Sequence, residues 1–306
     1  MGAGHDHSHV STAGGRHRWR LAVTIGITAV VFVAQLIGGL VSGSLALLAD
    51  AGHMLTDSTG LIIALIATAL AARPATTKRT YGWQRVEVLA AMINGFLLVA
   101  IAVWVLVQAV ARWNASVAVH SGLMLAVAVG GAVANVAGLL ILRGGAKESL
   151  NLKAAYLEVL GDLLGSVAVI VAAVVINLTG YTRVDSIASL AIFVLIIPRA
   201  WSLLRDVVDV LLESTPKGVD LDEVRGHICG LAGVVDVHDL HAWTVTSGVP
   251  VLSAHVVVDA ETMARGRSGE VLDALGSCLG EHFDVAHCTF QLEPEGHQQH
   301  EAAHHH

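Results

Sequence analysis

The sequence predicts a membrane protein in two parts: an all-α bundle of six transmembrane helices, followed by a small cytoplasmic α+β domain with the element order α-β-β-α-β. Three observations predict it. Of the 306 residues, 54% are hydrophobic and only 14% are charged, a balance too apolar for a soluble domain. Six apolar stretches are each long enough to cross about 30 Å of hydrocarbon. From Glu213 onward the texture changes to short alternating strand patterns and amphipathic helices.

The elements follow in order. Residues 1–20, MGAGHDHSHVSTAGGRHRWR, are a polar leader. Its His5, Asp6, His7 and His9 form a short metal-friendly tract, read equally as a chelating arm and as solvated low-complexity sequence. Spans are expected at roughly 21–43, 45–72, 87–111, 119–142, 153–177 and 184–204, making a transmembrane domain over about 21–210. No small-residue cleavage site follows the first stretch, so it reads as a span rather than a signal peptide. Glycines number 31 and aromatics are only 5%, which suits close helix approach in a bilayer.

Orientation follows from Lys and Arg. Arg16, Arg18 and Arg20 precede the first span. Arg73, Lys78, Arg79 and Arg85 lie between the second and third, and Arg143, Lys147 and Lys153 between the fourth and fifth. The alternate loops carry only Arg112 and Arg183. The charged set goes inside, so both termini are expected in the cytoplasm and the protein in the plasma (cell inner) membrane. Asn94 and Asn135, at membrane depth, read as interhelical hydrogen-bonding residues. Tyr81, Trp83, Trp104 and Trp113 read as interfacial anchors.

The cytoplasmic domain is expected over about 211–295. STPKGVDLDEVRGHICGL reads as a turn and an amphipathic helix. VVDVHDLHAWTVTS and VPVLSAHVVVD read as strands, RGRSGEVLDALGSCLGEHF as a helix and HCTFQLE as a closing strand. Cys229, Cys278 and Cys288 form no paired spacing and no C-x-x-C, which suits a reducing compartment. The tail at 296–306, GHQQHEAAHHH, is expected to be disordered.

The chemistry lies inside the spans. His53 and Asp57 are four apart in one apolar stretch, Glu158 and Asp162 four apart in another, so each pair projects from one helix face. A carboxylate at the bilayer centre costs roughly 2.5–3.5 kcal/mol on insertion scales. One such pair is equally well a helix-packing pair. Two facing pairs supply the four N/O donors of a tetrahedral divalent site. Asp162 lies about 14 Å beyond Lys153, and His53 about 12 Å below the first outer loop, so both pairs reach the midplane. Asp50, one turn earlier, reads more as an interfacial helix-start residue than as part of an exit path. This pattern implies a carrier of a divalent metal, zinc foremost.

Taken together, SGSLALLADAGHMLTDSTGL, YGWQRVEVLAAMINGFLLV, NLKAAYLEVLGDLLGSVAV and VHDLHAWTVTSG followed by LSAHVVV resemble the cation diffusion facilitator family of proton-coupled zinc transporters. The resemblance runs from the first span to Glu293. It implies a homodimer, a metallochaperone-like cytoplasmic domain, and a transport site of His53, Asp57, Glu158 and Asp162. It also implies a regulatory zinc site, whose matching positions are His238, His255 and His287. Zn2+ is then both the transported substrate and a regulatory ligand, exchanged for protons across the bilayer. No organic cofactor, nucleic-acid partner or enzymatic activity is expected.

Two departures from the family matter. Glu158 stands where zinc-selective members usually carry His or Asp, which makes the donor set harder and admits cadmium, cobalt, manganese or iron. The second-to-third loop, RPATTKRTYGWQR, contains neither His nor Asp, so the additional metal site that some relatives have there is expected to be absent. Asp239 is placed to orient a ligating histidine, and Cys288 alternates to the strand face opposite His287.

Three other function classes fit less well. A metal sensor or store has no need of buried acidic pairs on two spans. An intramembrane metallohydrolase lacks its H-E-x-x-H helix. A passive channel must hold its ion more weakly than four ligands would.

Overall fold

The computed structural model describes residues 18–114, 117–143, 150–246, 248–283, 285 and 287–300. The leader's His5–His9 tract and the last six residues lie outside them. Helices α1 (Arg18–Ser42), α2 (Leu45–Ala71), α3 (Val86–Arg112), α4 (Ser121–Leu142), α5 (Leu150–Thr179) and α6 (Arg183–Leu211) come first. All six contain a stretch long and apolar enough to cross a membrane. The sixth is the one misjudged in length, running to Leu211, seven residues past the predicted end at 204.

The helices divide between two compact units. One takes in the chain up to Ile62 together with Ile93–Ser202, the other Ile63–Met92 and the chain from Leu203 onward. The first unit buries small and polar side chains alongside large apolar ones such as Leu45, Met54, Leu98 and Met124, and is apolar without. Ala46, Ala49, Ala51, Ala102, Ala109, Ala128 and Ala173 are buried, along with Gln35, Asp50, Asp57, Asn135, Asp162, Ser166 and Asp185. Val30, Val133, Leu178 and Val194 point outward, as a lipid-facing surface requires.

Two contacts set the helices in register. Asp185, at the start of α6, caps α2. Its Oδ1 accepts from Ser44 Oγ at 2.6 Å and from Ala46 N at 3.2 Å, and its Oδ2 accepts from Leu45 N at 2.7 Å. A carboxylate at a helix N-terminus satisfies orphan amides and complements the macrodipole. Helices α2 and α6 therefore start side by side and run in the same direction. The second contact is between α2 and α5. A Cβ on Gly165 would fall 2.5 Å from Asp50 Oδ1, so only glycine admits the carboxylate here. Gly60 likewise receives Asn94, whose amide carbon would lie 2.6 Å from an added Cβ. Asn135 is buried with both side-chain polar atoms lacking a protein partner, contrary to the hydrogen-bonding role expected of it.

In the second unit, α7 (Leu221–Cys229) precedes β1 (Val234–Thr244) and β2 (Pro250–Val258). A short α8 (Ala260–Ala264), α9 (Ser268–Phe283) and β3 (His287–Pro294) follow. The sequence reading omitted α8, which is a single turn capped by Asp259 accepting from Thr262 N at 2.7 Å. The cap and its neighbour Arg267 hold the Asp259 carboxyl below its ordinary value of 3.8. Strand order is β1-β2-β3, antiparallel then parallel. Val224, Ile228, Val237, Leu252, Val256, Leu275 and Leu279 fill the core between the sheet and its helices. The tail expected to be disordered begins with a 3-10 turn at His297–His300.

The second unit also contains the ends of α2 and α3 with the loop that joins them. Arg85 Nη2 meets Glu213 Oε1 at 2.9 Å, and Thr246 Oγ1 donates to Glu87 Oε2 at 2.8 Å. Arg79 lies over the Trp83 ring at 3.3 Å.

Candidate metal centre

The first unit brings His53, Asp57, Glu158 and Asp162 together. Asp50 and Asp57 are seven residues apart on α2, and Gly165 and Glu158 seven apart on α5, about 10.5 Å on each helix. The helices are antiparallel, so Asp50 against Gly165 implies Asp57 against Glu158. The Glu158 carboxyl is within hydrogen-bonding reach of Asp57. His53 Nε2 lies 3.5 Å from Asp57 Oδ2 on the same helix face. Asp162 is close enough to feel the charges of Asp50, Asp57 and Glu158.

Several donor atoms have no protein partner. His53 Nδ1, Asp57 Oδ1 and Asp162 Oδ1 are buried without a hydrogen bond. A buried polar atom left so costs about 1–3 kcal/mol, a cost that a bound cation would relieve. These atoms are all of the kind that ligate a divalent metal.

The structure adds two residues at this site. Asp50 is 1% exposed and accepts from Gln35 Nε2 of α1 at 2.6 Å, so it is not an interfacial residue. It forms a layer one turn beyond the four donors, with Ser166 nearby at Gly131. Arg199 of α6 donates from Nη1 to Asp57 Oδ2 at 2.9 Å. No signal in the sequence singled it out, because nothing in a single chain says which carboxylate α6 will face.

The second unit holds a second donor group. His238, His255 and Glu293 place one donor atom each within 4.8 Å of one another. Glu293 Oε2 lies 3.1 Å from His238 Nε2, and Glu293 Oε1 lies 2.8 Å from His255 Nδ1. Two imidazoles and a carboxylate at these separations fit a divalent ion held at about 2.0–2.2 Å. His238 and His255 face each other directly across β1 and β2. A one-residue bulge follows His238, with Asp239 at φ 49°, and turns the Asp239 carboxylate to His241 at 2.9 Å and to His255 at 3.7 Å.

His287 does not join this group within the protomer. Parallel pairing sets His287 opposite Val251 and Gln291 opposite His255. Four strand residues separate His287 from that level, about 13 Å. Its ring instead packs edge-on to Tyr81, 5.6 Å between centroids, which also makes Tyr81 a packing residue. Glu293, on the same strand face as Gln291, stands where His287 was expected. Cys288 is half-buried, and burial pushes its thiol up.

Among the described residues, the grouping of three donors within 4.8 Å occurs at His238, His255 and Glu293. The membrane quartet is more open.

Comparison with known proteins gives a consistent picture. A family model for the cation efflux transmembrane domain matches residues 21–212, and one for the cation efflux protein cytoplasmic domain matches residues 216–295. The metal cation efflux system protein CzcD of Cupriavidus metallidurans is 44% identical over 305 residues, 100% of this chain and 94% of that protein. The zinc transporter ZitB of Escherichia coli is 40% identical over 293 residues, 94% and 92% of the two chains. The cadmium, cobalt and zinc/H(+)-K(+) antiporter of Bacillus subtilis is 36% identical over 296 residues, 96% and 93% of the two.

Proposed function

The chain belongs to the cation efflux family of membrane metal transporters, and we propose that it exports a divalent metal, zinc foremost, in exchange for protons by alternating access in a homodimer. It is a transporter and not an enzyme. The observation that carries the proposal is the meeting of His53, Asp57, Glu158 and Asp162 inside a six-span bundle, with buried donor atoms that no protein group satisfies.

In the proposed cycle the site opens first to the cytoplasm. His53 and the three carboxylates take the metal as substrate and shed protons, because a ligand must be deprotonated to bind. Opened outward, the site takes up protons and lets the metal go. The membrane potential opposes export of a dication by about 2.3 kcal/mol per charge per 100 mV, which inward proton movement offsets. The names of the relatives from Escherichia coli and Bacillus subtilis support zinc and proton coupling respectively. His238, His255 and Glu293 are proposed to bind a regulatory metal in the cytoplasmic domain, through which the dimer associates. The termini are proposed to be cytoplasmic and the protein to sit in the plasma membrane, on the Lys and Arg distribution.

The test is metal uptake into proteoliposomes under an imposed pH gradient. Wild type is expected to take up zinc in proportion to the gradient. Asp57→Ala and Asp162→Ala are expected to abolish uptake while eluting as folded protein. Normal uptake by either variant overturns the site assignment.

A further inference from the structure

We propose that Arg199 is a tethered counter-ion of the transport site, competing with the substrate metal for Asp57 and balancing the extra carboxylate of Glu158. The inference rests on the transport-site reading above. Three observations carry it.

The first is that one oxygen serves two partners. Asp57 Oδ2 accepts from Arg199 Nη1 at 2.9 Å, and the same oxygen faces His53 Nε2 at 3.5 Å. A metal seated between His53 Nε2 and Asp57 Oδ2 contends with the guanidinium for this oxygen. The four donors do not close to within 4.8 Å of one another, as the cytoplasmic group does. Arg199 draws Asp57 away from that closure.

The second is charge. The guanidinium acts electrostatically on His53, Asp57, Glu158 and Asp162 alike. Three ionised carboxylates around one divalent ion leave a single negative charge, which is costly at membrane depth. The Arg199 guanidinium, on Asp57, supplies the positive charge that cancels it. A site of two carboxylates and two imidazoles would be neutral with the metal alone. Glu158 in place of an imidazole creates the surplus that Arg199 balances.

The third is freedom to move. The Arg199 side chain is 51% exposed, against 6% for that of Asp57. The Arg199 side chain has room to swing off Asp57, whereas the buried carboxylate does not. Arg199 also follows Pro198, which removes one backbone bond inside α6 and loosens the helix at that point. The guanidinium thus gives up Asp57 Oδ2 when metal arrives but stays beside the site, and re-forms the contact as metal departs, which weakens binding and speeds release.

The test is the zinc dependence of uptake in proteoliposomes of the full-length protein. R199Q is expected to lower the zinc KM by about tenfold or more, the scale on which neighbours of metal ligands act. Its maximal rate is expected to fall as well, because the metal leaves more slowly. R199K keeps the charge and is expected to keep the wild-type KM, since the contact is a single hydrogen bond. The double variant E158Q/R199Q removes one charge of each sign and is expected to return KM towards wild type. An unchanged or raised KM in R199Q, loss of transport in R199K, or no return in the double variant overturns the proposal. Asp57→Ala in the same assay separates this from failure of the site reading, which shows there alone as retained transport.

Discussion

Asp185 Oδ2 accepts a hydrogen bond from Leu45 N at 2.7 Å, joining the start of the sixth span to the start of the second. From this junction α2 runs about 18 Å to Asp57 and α6 about 21 Å to Arg199. Side chains on a helix lean towards its N-terminus, so Arg199 reaches back to the level of Asp57. The cap thus determines which α6 residue meets the site. Asp185→Ala is expected to lower stability by about 1–3 kcal/mol, the cost of leaving buried donors unmet, and to impair uptake although it touches no metal ligand. Thermal unfolding in detergent alongside uptake checks this. A variant with the wild-type midpoint and wild-type uptake would remove Asp185 from the account.

Gly165 and Gly161 make a matched pair on α5. A Cβ at 165 would meet Asp50 Oδ1 at 2.5 Å, whereas a Cβ at 161 would meet nothing within 4 Å in the protomer. Gly165→Ala is expected to cost about 1–3 kcal/mol through overpacking and to displace Asp50. Gly161→Ala is expected to stay within about 1 kcal/mol of wild type. Equal effects of the two on melting temperature would show that the approach of α2 to α5 is looser than described.

For the cytoplasmic group the informative contrast is Glu293 against His287. In a full-length Asp57→Ala background, which disables the proposed transport site, zinc titration is expected to show binding at the cytoplasmic group. Glu293→Gln is expected to weaken it by about 10-fold or more, since the carboxylate faces both imidazoles. His287→Ala is expected to leave it unchanged. The reverse result would mean that the regulatory metal uses His287 after all.

In the proposed transport site, Glu158 is the residue at which metal choice is expected to turn. Glu158→His gives two imidazoles and two carboxylates, a softer set. Competition uptake among zinc, cadmium, cobalt and manganese is expected to shift towards zinc and away from manganese. An unaltered preference order would place selectivity elsewhere in the site.

Most of the architecture was legible in the chain because its signals are local. A span needs about 20 consecutive apolar residues, and an i, i+4 pair shares a helix face wherever the helix goes. His53–Asp57 and Glu158–Asp162 could therefore be read as two pairs, and the family motifs joined them. The strand pattern also announced β1, β2 and β3.

What the chain alone left open was every choice that depends on a second element. The α6 side chain that meets Asp57 follows from the Asp185 cap on α2. Asp50 is buried rather than interfacial because Gln35 comes from α1 and Gly165 makes room on α5. His287 and Glu293 lie on the same face of one strand and are equally plausible ligands as sequence. The pairing of Gln291 with His255 puts Glu293, and not His287, beside the two imidazoles. Helix and strand periods specify which residues share a face. Registry between elements is set by long-range packing and hydrogen bonds, which no local period encodes.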